Sequence, residues 1–243
     1  MNILGVSFGD HDSTSCLVQN GDVACAISED RLTRQKHDSN FPSYSIDYCL
    51  KSSNLKLKDI DFVVYHEDPY NKFSRVLSSS LSGFPFTHKE FAESTKSWMS
   101  KKLWVLDELN KKLDIPSEKI IYLGHHFSHA LQAFVGSGYD ESAILIVDAV
   151  GDWSSSSLFK GKWVDGKPVI EQIIEIAFPH SLGLVYSAVT AFLGFNPNDS
   201  ECSTMALASF GKPKYVKEFR EIIKSNPESI YEIDQSYFNF FKF

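Results

Sequence analysis

Apolar and polar positions alternate in three short runs at the start of the chain, a pattern typical of β-strands. The runs NILGVSF, STSCLVQ and DVACAIS cover residues 2–8, 13–19 and 22–28. Asn20-Gly21, between the second and third runs, is a strong signal for a tight hairpin. The pattern therefore predicts three consecutive strands joined by short turns.

The stretch AILIVDAVGDWSSSSLFKGKWVDGKPVIEQII repeats this order of elements later in the chain. Ile3 matches Ile144 and Gly9 matches Gly151, provided that one added residue precedes Gly151. Each copy has an apolar strand, a Gly-Asp turn, a strand rich in serine or threonine, and a third strand after a further turn. Unrelated hairpins can share such a pattern by chance. A duplicated three-strand unit followed by helices is, however, also the plan of the actin-like ATPase superfamily.

The remaining periodicity predicts helices and further strands around these two copies. Between the copies it predicts, in chain order, a helix near 43–55, a strand at 61–65, a partly helical segment at 88–113 and a short strand at 119–122. Pro69 to Pro85, with its run of serines, is expected to be a mobile surface connection. After the second copy, Ser181 is predicted to cap a helix that Gly194 closes, and another helix is predicted at 214–224. Alternating strands and helices predict an α/β class, with a first region at 1–140 and a second at 141–243.

Composition limits the class of protein further. The chain is 43% hydrophobic and 23% charged, which is ordinary for a soluble globular protein. A net charge of -7 argues against a surface for duplex nucleic acid, and the basic cluster of Arg31, Arg34 and Lys36 is too short to reverse that; it would suit one small anion. No run is long enough to span a membrane, no signal peptide opens the chain, and the four cysteines form no CxxC pair. A reducing cytoplasm is therefore the expected compartment.

The segment YLGHHFSHALQAF, residues 122–134, places three histidines within five positions. On a helix His125 and His129 would lie on one face, one turn apart, and two imidazoles at that spacing form half of a metal site. The H-E-x-x-H pattern of zinc proteases is excluded because its glutamate is absent here. Histidines on an apolar helix are more often structural, so a metal site requires a third ligand.

Asp148 supplies a candidate for that third ligand. It ends the strand AILIVD, and in open α/β sheets ligands bind beyond the carboxyl ends of strands. Two imidazoles and a carboxylate with open positions suit Fe(II), Mn or Zn. The alternative is that Asp148 only forms the turn that follows the strand.

Five segments together resemble the N-terminal half of the NodU/CmcH family of O-carbamoyltransferases. They are ILGVSFGDHDSTSCLV, SEDRLTRQKHDSNFP, HHFSHALQAF, ILIVDAVGDWSSSSLF and PHSLGLVYSAVTAFLGF, and the resemblance runs from Met1 to about Gly211. It implies an actin-like (ribonuclease H-like) fold whose first half is complete and whose second half is partial. It also implies transfer of a carbamoyl group from carbamoyladenylate to a hydroxyl of a small-molecule acceptor. Carbamoyladenylate is made from carbamoyl phosphate and ATP in a YrdC-like domain, which is expected to be missing from this chain.

The resemblance also assigns roles to individual residues. His125, His129 and Asp148 match the family's metal ligands, and the metal is usually iron. His11, in the turn Gly9 to Asp12, matches a histidine that acts as general base on the acceptor hydroxyl. Nucleotide binding is implied for a basic strip that contains Arg31, Arg34 and Lys36. It is also implied for the turn at Gly151, whose backbone N–H groups can hold phosphate.

The segment SECSTMALASFG, which ends at Gly211, departs from the family pattern G-E-Y-K-x-M-G-L-A-P-Y-G. Ser203 replaces a lysine and Ala206 replaces a glycine, so a contact with a polyanion is weakened and a close backbone approach is crowded. These departures favour one alternative to the transferase, a non-catalytic scaffold that kept the fold. An actin-like sugar kinase or ATPase is the other alternative, although it would need Mg²⁺ held by carboxylates rather than by two histidines on a helix. The aromatic residues of YEIDQSYFNFFKF, the last thirteen residues, are expected to form an exposed patch that seeks a partner surface.

Overall fold

A computed structural model describes residues 1–10, 12–82, 88–100 and 102–238. The chain divides into two compact units, Met1–Ser78 with Lys89–His125 and Ser79–His88 with His126–Phe243. Both contain strands and helices, so the α/β class predicted from the sequence is confirmed. None of the helices in the described ranges is both long and apolar enough to cross a membrane.

The first 122 residues contain a five-stranded mixed sheet with the order β3-β2-β1-β4-β5. Strand β2 is antiparallel to β1 and β3, whereas β1, β4 and β5 are parallel to one another. The strands are β1 (Asn2–Ser7), β2 (Thr14–Gln19), β3 (Asp22–Ser28), β4 (Phe62–Tyr65) and β5 (Ile120–Tyr122). The helices are α1 (Asp30–Thr33), α2 (Ser43–Ser52), α3 (Pro69–Ser82), α4 (His88–Ser100) and α5 (Val105–Leu113).

Alternation along the strands produces the core of this sheet. Leu4 on β1, Leu17 on β2 and Val63 on β4 are fully buried, and residues of α2 and α5 complete the cluster. The predicted hairpin between β2 and β3 is confirmed, because Asn20 and Gly21 both have a positive φ. Cys25 on β3 and Cys49 on α2 meet within this layer, with their Sγ atoms 3.2 Å apart.

The second half of the chain repeats the three-strand plan. Strands β6 (Glu141–Val147), β7 (Ser154–Val164) and β8 (Lys167–Ala177) form an antiparallel sheet in that order. The remaining elements are α6 (His125–Ser137), α7 (Leu182–Phe192), α8 (Glu201–Ala208), α9 (Val216–Ile222), β9 (Ile223–Asn226) and β10 (Ile230–Ile233), of which β9 and β10 form a hairpin.

Two small cores stabilise this second half. One joins α6, β6 and β7 through five buried residues, Ala130, Phe134, Ile144, Ile146 and Phe159. Gly161 on β7 leaves room for the ring of Phe134, since a Cβ there would lie 2.6 Å from that ring. The other core contains Ile176, Val185, Tyr231 and Ile233.

The prediction of a mobile connection from Pro69 to Pro85 is wrong for its described part, because Pro69–Ser82 is helix α3. The Asp68 carboxylate accepts hydrogen bonds from the backbone N–H groups of Tyr70 and Asn71, so it caps this helix. Proline is favoured in the first turn of a helix, where its missing N–H has no partner to lose. Residues 83–87 lie outside the described ranges.

Two predictions near the end of the chain also need correction. The helix predicted at 214–224 is shorter, because the chain enters strand β9 at Ile223. The aromatic run is not uniformly exposed: Tyr231 is 7% exposed and packs in a core, whereas Tyr237 is 57% exposed. Residues 239–243 lie outside the described part of the chain.

The cap at Ser181 is confirmed, since its Oγ accepts from the Leu184 N–H.

Candidate metal centre

Helix α6 and the end of β6 position the three residues that were predicted to bind metal. His125 is the first residue of α6, and His129 follows one turn later on the same helix. Asp148 comes directly after β6, where its N–H donates to the Ser155 carbonyl at 2.8 Å. Its Oδ1 accepts the Ala149 N–H at 2.6 Å, and its Oδ2 lies 3.8 Å from His129 Nε2. The backbone thus directs one carboxylate oxygen toward the histidine.

The three side chains come together closely enough for one ion. One ligand atom from each of His125, His129 and Asp148 lies within 4.8 Å of the others. A metal bound at about 2.0–2.2 Å by three such atoms requires them to be roughly 3–4 Å apart. Small side-chain rotations would therefore suffice, and the mixed nitrogen and oxygen donors fit a transition metal.

Solvent reaches this centre from one side. His125 and Asp148 are partly buried, whereas the His129 side chain is 47% exposed. His129 and Asp148 line a groove of about 630 Å³ along α6 and β6, together with Leu145 and Val147. An ion held by these three ligands would keep open coordination positions facing the groove, as catalytic metal sites require.

The start of α7 holds the loop that carries Asp148. Ser181 Oγ donates to the Ala149 carbonyl at 2.6 Å and accepts from the Leu184 N–H at 3.0 Å. Gly183 lies against the same loop, because a Cβ at this position would be 2.6 Å from the Asp148 carbonyl oxygen. The helix cap and the close approach of this glycine therefore position the carboxylate.

His126, the middle residue of the histidine run, has a structural role. It is 5% exposed, and its Nδ1 is 2.7 Å from Ser157 Oγ on β7. This contact fixes α6 on the sheet and thereby orients the neighbouring His125 and His129. The run thus contains two candidate ligands and one anchor.

A second group, which the sequence analysis did not single out, shares His125. His66 and Glu67 follow β4. One ligand atom from each of His66, Glu67 and His125 lies within 4.8 Å of the other two. Their position after the apolar run FVVY, at the carboxyl end of a parallel strand, was the signal that could have identified them. Glu67 is 6% exposed, burial raises the pKa of its carboxyl, and Lys72 Nζ at 2.8 Å opposes that increase.

The predicted nucleotide-binding residues lie on the surface or in a turn. Arg31, Arg34 and Lys36 are exposed around α1, with Arg31 Nε 3.9 Å from Asp30 Oδ1. The Gly151 N–H donates to the Ser154 carbonyl at 2.8 Å, so it forms part of the hairpin in this structure. The predicted general base, His11, lies outside the described residues.

Helix α8 contains the departures from the family pattern. Ser203 and Ala206 lie within Glu201–Ala208. The Glu201 carboxylate accepts from Ser187 Oγ and from the Asn198 N–H, both at 2.7 Å. Although burial opposes it, these hydrogen bonds lower the pKa of Glu201. The retained glutamate therefore links α7 to the start of α8.

Comparisons with known proteins give the family of the chain. The family model described as Carbamoyltransferase N-terminus matches residues 2–242. The uncharacterized protein sll1178 of Synechocystis is 37% identical over 98% of this chain and 40% of its own length. Nodulation protein NolNO of Sinorhizobium fredii is 31% identical over 91% of this chain and 31% of its own length, so the chain spans less than half of both relatives. The solved structure of YeaZ from Pseudomonas aeruginosa is 14% identical over 73% of this chain and 70% of its own, with a TM-score of 0.37.

Proposed function

Because the chain belongs to the family of carbamoyltransferase N-terminal domains, we propose that it is the acceptor-modifying domain of an O-carbamoyltransferase. In this proposal it moves a carbamoyl group from carbamoyladenylate to a hydroxyl of a small-molecule acceptor. Carbamoyl phosphate and ATP are the precursors, and a YrdC-like domain outside this chain activates them. The observation that carries the proposal is the convergence of His125, His129 and Asp148, of which His129 and Asp148 line an open groove.

The topology of the first sheet supports an actin-like fold. Only β2 runs antiparallel to the other strands in the order β3-β2-β1-β4-β5, which is the arrangement of a ribonuclease H-like sheet. The second meander, β6 to β8, repeats the first three strands of that plan. A first region at 1–140 and a second region at 141–243 are therefore retained as part of the proposal.

The ligand set suits a metal with transferase chemistry. Fe(II) or a similar divalent ion, when bound by His125, His129 and Asp148, would supply a Lewis acid for the carbamoyl carbonyl. The protein's own contribution is to orient these side chains, through the α6 helix, the His126 anchor and the capped loop at Ala149. A kinase is disfavoured, because Mg²⁺ prefers carboxylate and phosphate oxygens to imidazole nitrogens.

His11 is proposed to accept the proton of the acceptor hydroxyl. Imidazole titrates near neutrality, so it can remove that proton as the oxygen attacks the carbamoyl carbon. Described residues on either side of it in the chain have contacts of their own: the Gly9 N–H donates to the Ser39 carbonyl at 3.0 Å, and Asp12 Oδ1 is 3.1 Å from His37 Nδ1. Arg31, Arg34, Lys36 and Gly151 remain the proposed contacts of the nucleotide.

Metal analysis and a transfer assay test this proposal together. Anaerobically purified chain is expected to contain about one transition metal, and His129→Ala should lose most of it and lose transfer from supplied carbamoyladenylate. His11→Asn should keep the metal and slow transfer by about 10²–10⁴-fold. His88→Ala, at an exposed histidine of α4, is the matched control and should change neither.

Several results would contradict the proposal. Equal metal content in the parent and in His129→Ala would contradict the assignment of His129 as a metal ligand. Unchanged transfer by His11→Asn would contradict the assignment of His11 as the general base. Absence of transfer to every polyhydroxylated acceptor, from a metal-loaded chain, would favour the scaffold alternative. Release of pyrophosphate from ATP and carbamoyl phosphate by this chain alone would contradict the assignment of activation to another domain.

A further inference from the structure

His66, Glu67 and His125 form a second group of candidate metal ligands, which overlaps the first centre only at His125. All three residues lie in the first compact unit. His66 and Glu67 directly follow β4, and His125 comes three residues after the end of β5. Because β4 and β5 are neighbouring parallel strands, their carboxyl ends place these three residues at one edge of the sheet.

The donor atoms of this group are close enough for one ion. One atom from each residue lies within 4.8 Å of the other two, and His66 Nε2 is 3.9 Å from Glu67 Oε2. The imidazole rings of His66 and His125 have centroids 5.8 Å apart and are inclined at 62°. Atoms that bind zinc at about 2.0–2.2 Å are roughly 3–4 Å from one another, so small side-chain rotations would bring all three onto one ion.

The local charge favours a cation at this group. Lys72 Nζ donates to Glu67 Oε2 at 2.8 Å and also to Asp10 Oδ2, so two carboxylates share one ammonium group. These three side chains therefore carry one negative charge in excess. The contact with Lys72 does not exhaust Glu67, because a carboxylate has two oxygens and about four acceptor positions. A divalent ion could thus bind Glu67 while Lys72 stays in place.

Packing holds the group in position and leaves one side accessible. The ring centroid of Tyr65 lies 4.8 Å from that of His66, and Tyr65 Oη donates to the Phe8 carbonyl at 2.8 Å. The Glu67 side chain is 7% exposed and that of His66 is 27% exposed. Glu67 also lines a cavity of about 510 Å³, through which an ion could reach its carboxylate. The ligands are therefore oriented by their neighbours and still open to an incoming ion.

From these observations we propose that His66, Glu67 and His125 bind a divalent transition metal of the zinc type, at a second position separate from the His125–His129–Asp148 centre. Two imidazoles and one glutamate with an open fourth position are a donor set that zinc sites use. His125 belongs to both groups, so the two positions are alternatives that compete for its imidazole. The second position binds more weakly, because Lys72 places a positive charge against Glu67.

Zinc titration of a variant that lacks the first centre tests this proposal. His129→Ala combined with Asp148→Asn removes two ligands of that centre and keeps His125. The asparagine retains an oxygen that can accept the Ala149 N–H. Competition with a chromophoric chelator should show about one zinc per chain in this double variant. Adding His66→Ala should weaken the binding by about 100-fold or more, because it removes one of three protein ligands.

A control variant and a direct readout keep the result interpretable. His88→Ala, at an exposed histidine of α4 that belongs to neither group, should leave the zinc affinity of the double variant unchanged. In nuclear magnetic resonance spectra of the double variant, zinc should shift the imidazole signals of His66 and His125 and leave those of His88 in place. Thermal unfolding checks that each variant is folded. If the double variant is unfolded, His129→Ala alone is the background, since that side chain is 47% exposed.

Four outcomes would overturn the proposal. The first two are absence of zinc binding to the folded double variant, and equal affinities with and without His66→Ala. Unshifted His66 signals at saturating zinc would show that the ion binds elsewhere. Loss of the tightly bound ion from the parent chain on His66→Ala would assign His66 to the first centre instead. None of these measurements requires carbamoyl transfer, so this proposal and the proposed function can fail independently.

Discussion

Strand β1 lies between β2 and β4 in the first sheet, whereas β6 pairs only with β7 among the described residues. Leu4 and Val6 of β1 are 0% and 4% exposed, but Leu145 and Val147 of β6 are 62% and 50% exposed. Both strands arise from the same apolar pattern. The difference shows that the pattern specifies a strand, while the neighbouring elements decide how much of its apolar surface is buried.

The two regions also treat their charged groups differently. In the first region, Glu67 and Lys72 are buried and paired at the wall of a cavity. In the second region, His129 and Asp148 border an open groove with one small core beneath them. The charged side chains of the first region are therefore paired and shielded from solvent, whereas those of the second are accessible from the groove.

The largest expected effect comes from removing a core ring in the second region. Phe134→Ala should cost about 3–5 kcal/mol of unfolding free energy, and Phe134 belongs to a cluster of five buried residues. Leu109→Ala should cost about 2–5 kcal/mol of unfolding free energy. Because Leu109 belongs to a cluster of fifteen buried residues, more contacts remain in the first region after this substitution. Hydrogen exchange should then show β7 unprotected in the first variant and β4 still protected in the second. Retained protection of β7 would show that the two regions are equally robust.

A smaller effect is expected from crowding the Asp148 loop. In Gly183→Ala the added methyl group would lie 2.6 Å from the Asp148 carbonyl oxygen, which is too close for a normal contact. The Asp148 loop and its carboxylate should therefore shift, and the affinity for metal should fall by about 10–100-fold. Gly136→Ala, on α6 beside the same groove, meets nothing within 4 Å and serves as the control. Competition with a chelator measures both affinities. Equal affinities in the two variants would show that the α7 contact does not position Asp148.

The smallest expected effect is an opposite pH dependence of two carboxyl groups. Burial raises the pKa of Glu67, so its contribution to stability is present below its ordinary value of 4.5 and declines as pH rises through the raised pKa. Hydrogen bonds from Lys224 and Ser236 hold the pKa of Asp234 below its ordinary value of 3.8, so its contribution is present above that value and declines as pH falls. Unfolding of the wild type should therefore be compared with Glu67→Gln and with Asp234→Asn across acid pH. If both substitutions changed the unfolding free energy with the same pH dependence, the two carboxyl groups would not have opposite effects.

Local signals in the sequence predicted much of the fold. The Asn20-Gly21 turn, the Ser181 cap and the repeated three-strand pattern each depend on neighbouring residues, and each is present in the structure. Helix α3 was missed because its serine run has low helix propensity, although Asp68 caps it and Pro69 suits its first turn. Local propensity was outweighed there by the cap and by packing.

The candidate site was only partly accessible to such reasoning. His125 and His129 could be paired from their spacing, and Asp148 from its place at the end of a strand. Lys72 and Asp10 are 62 positions apart, and only the parallel pairing of β1 with β4 brings their surroundings together. The burial of Tyr231 was likewise missed, because its contacts with Ile176 and Val185 depend on a hairpin that the sequence did not predict.

The cysteine pair of the first region affects how the metal can be handled in the laboratory. Burial raises the pKa of the Cys49 thiol well above its ordinary value, so little of its thiolate is present at neutral pH. The thiolate is the species that starts disulfide exchange, and Cys49 should therefore attack a disulfide or an oxidant slowly, although its Sγ lies 3.2 Å from that of Cys25. Thiol reductants, which compete for transition metals, can then be left out of the buffers. Only the exposed Cys202 would call for replacement by serine before the protein is loaded with metal.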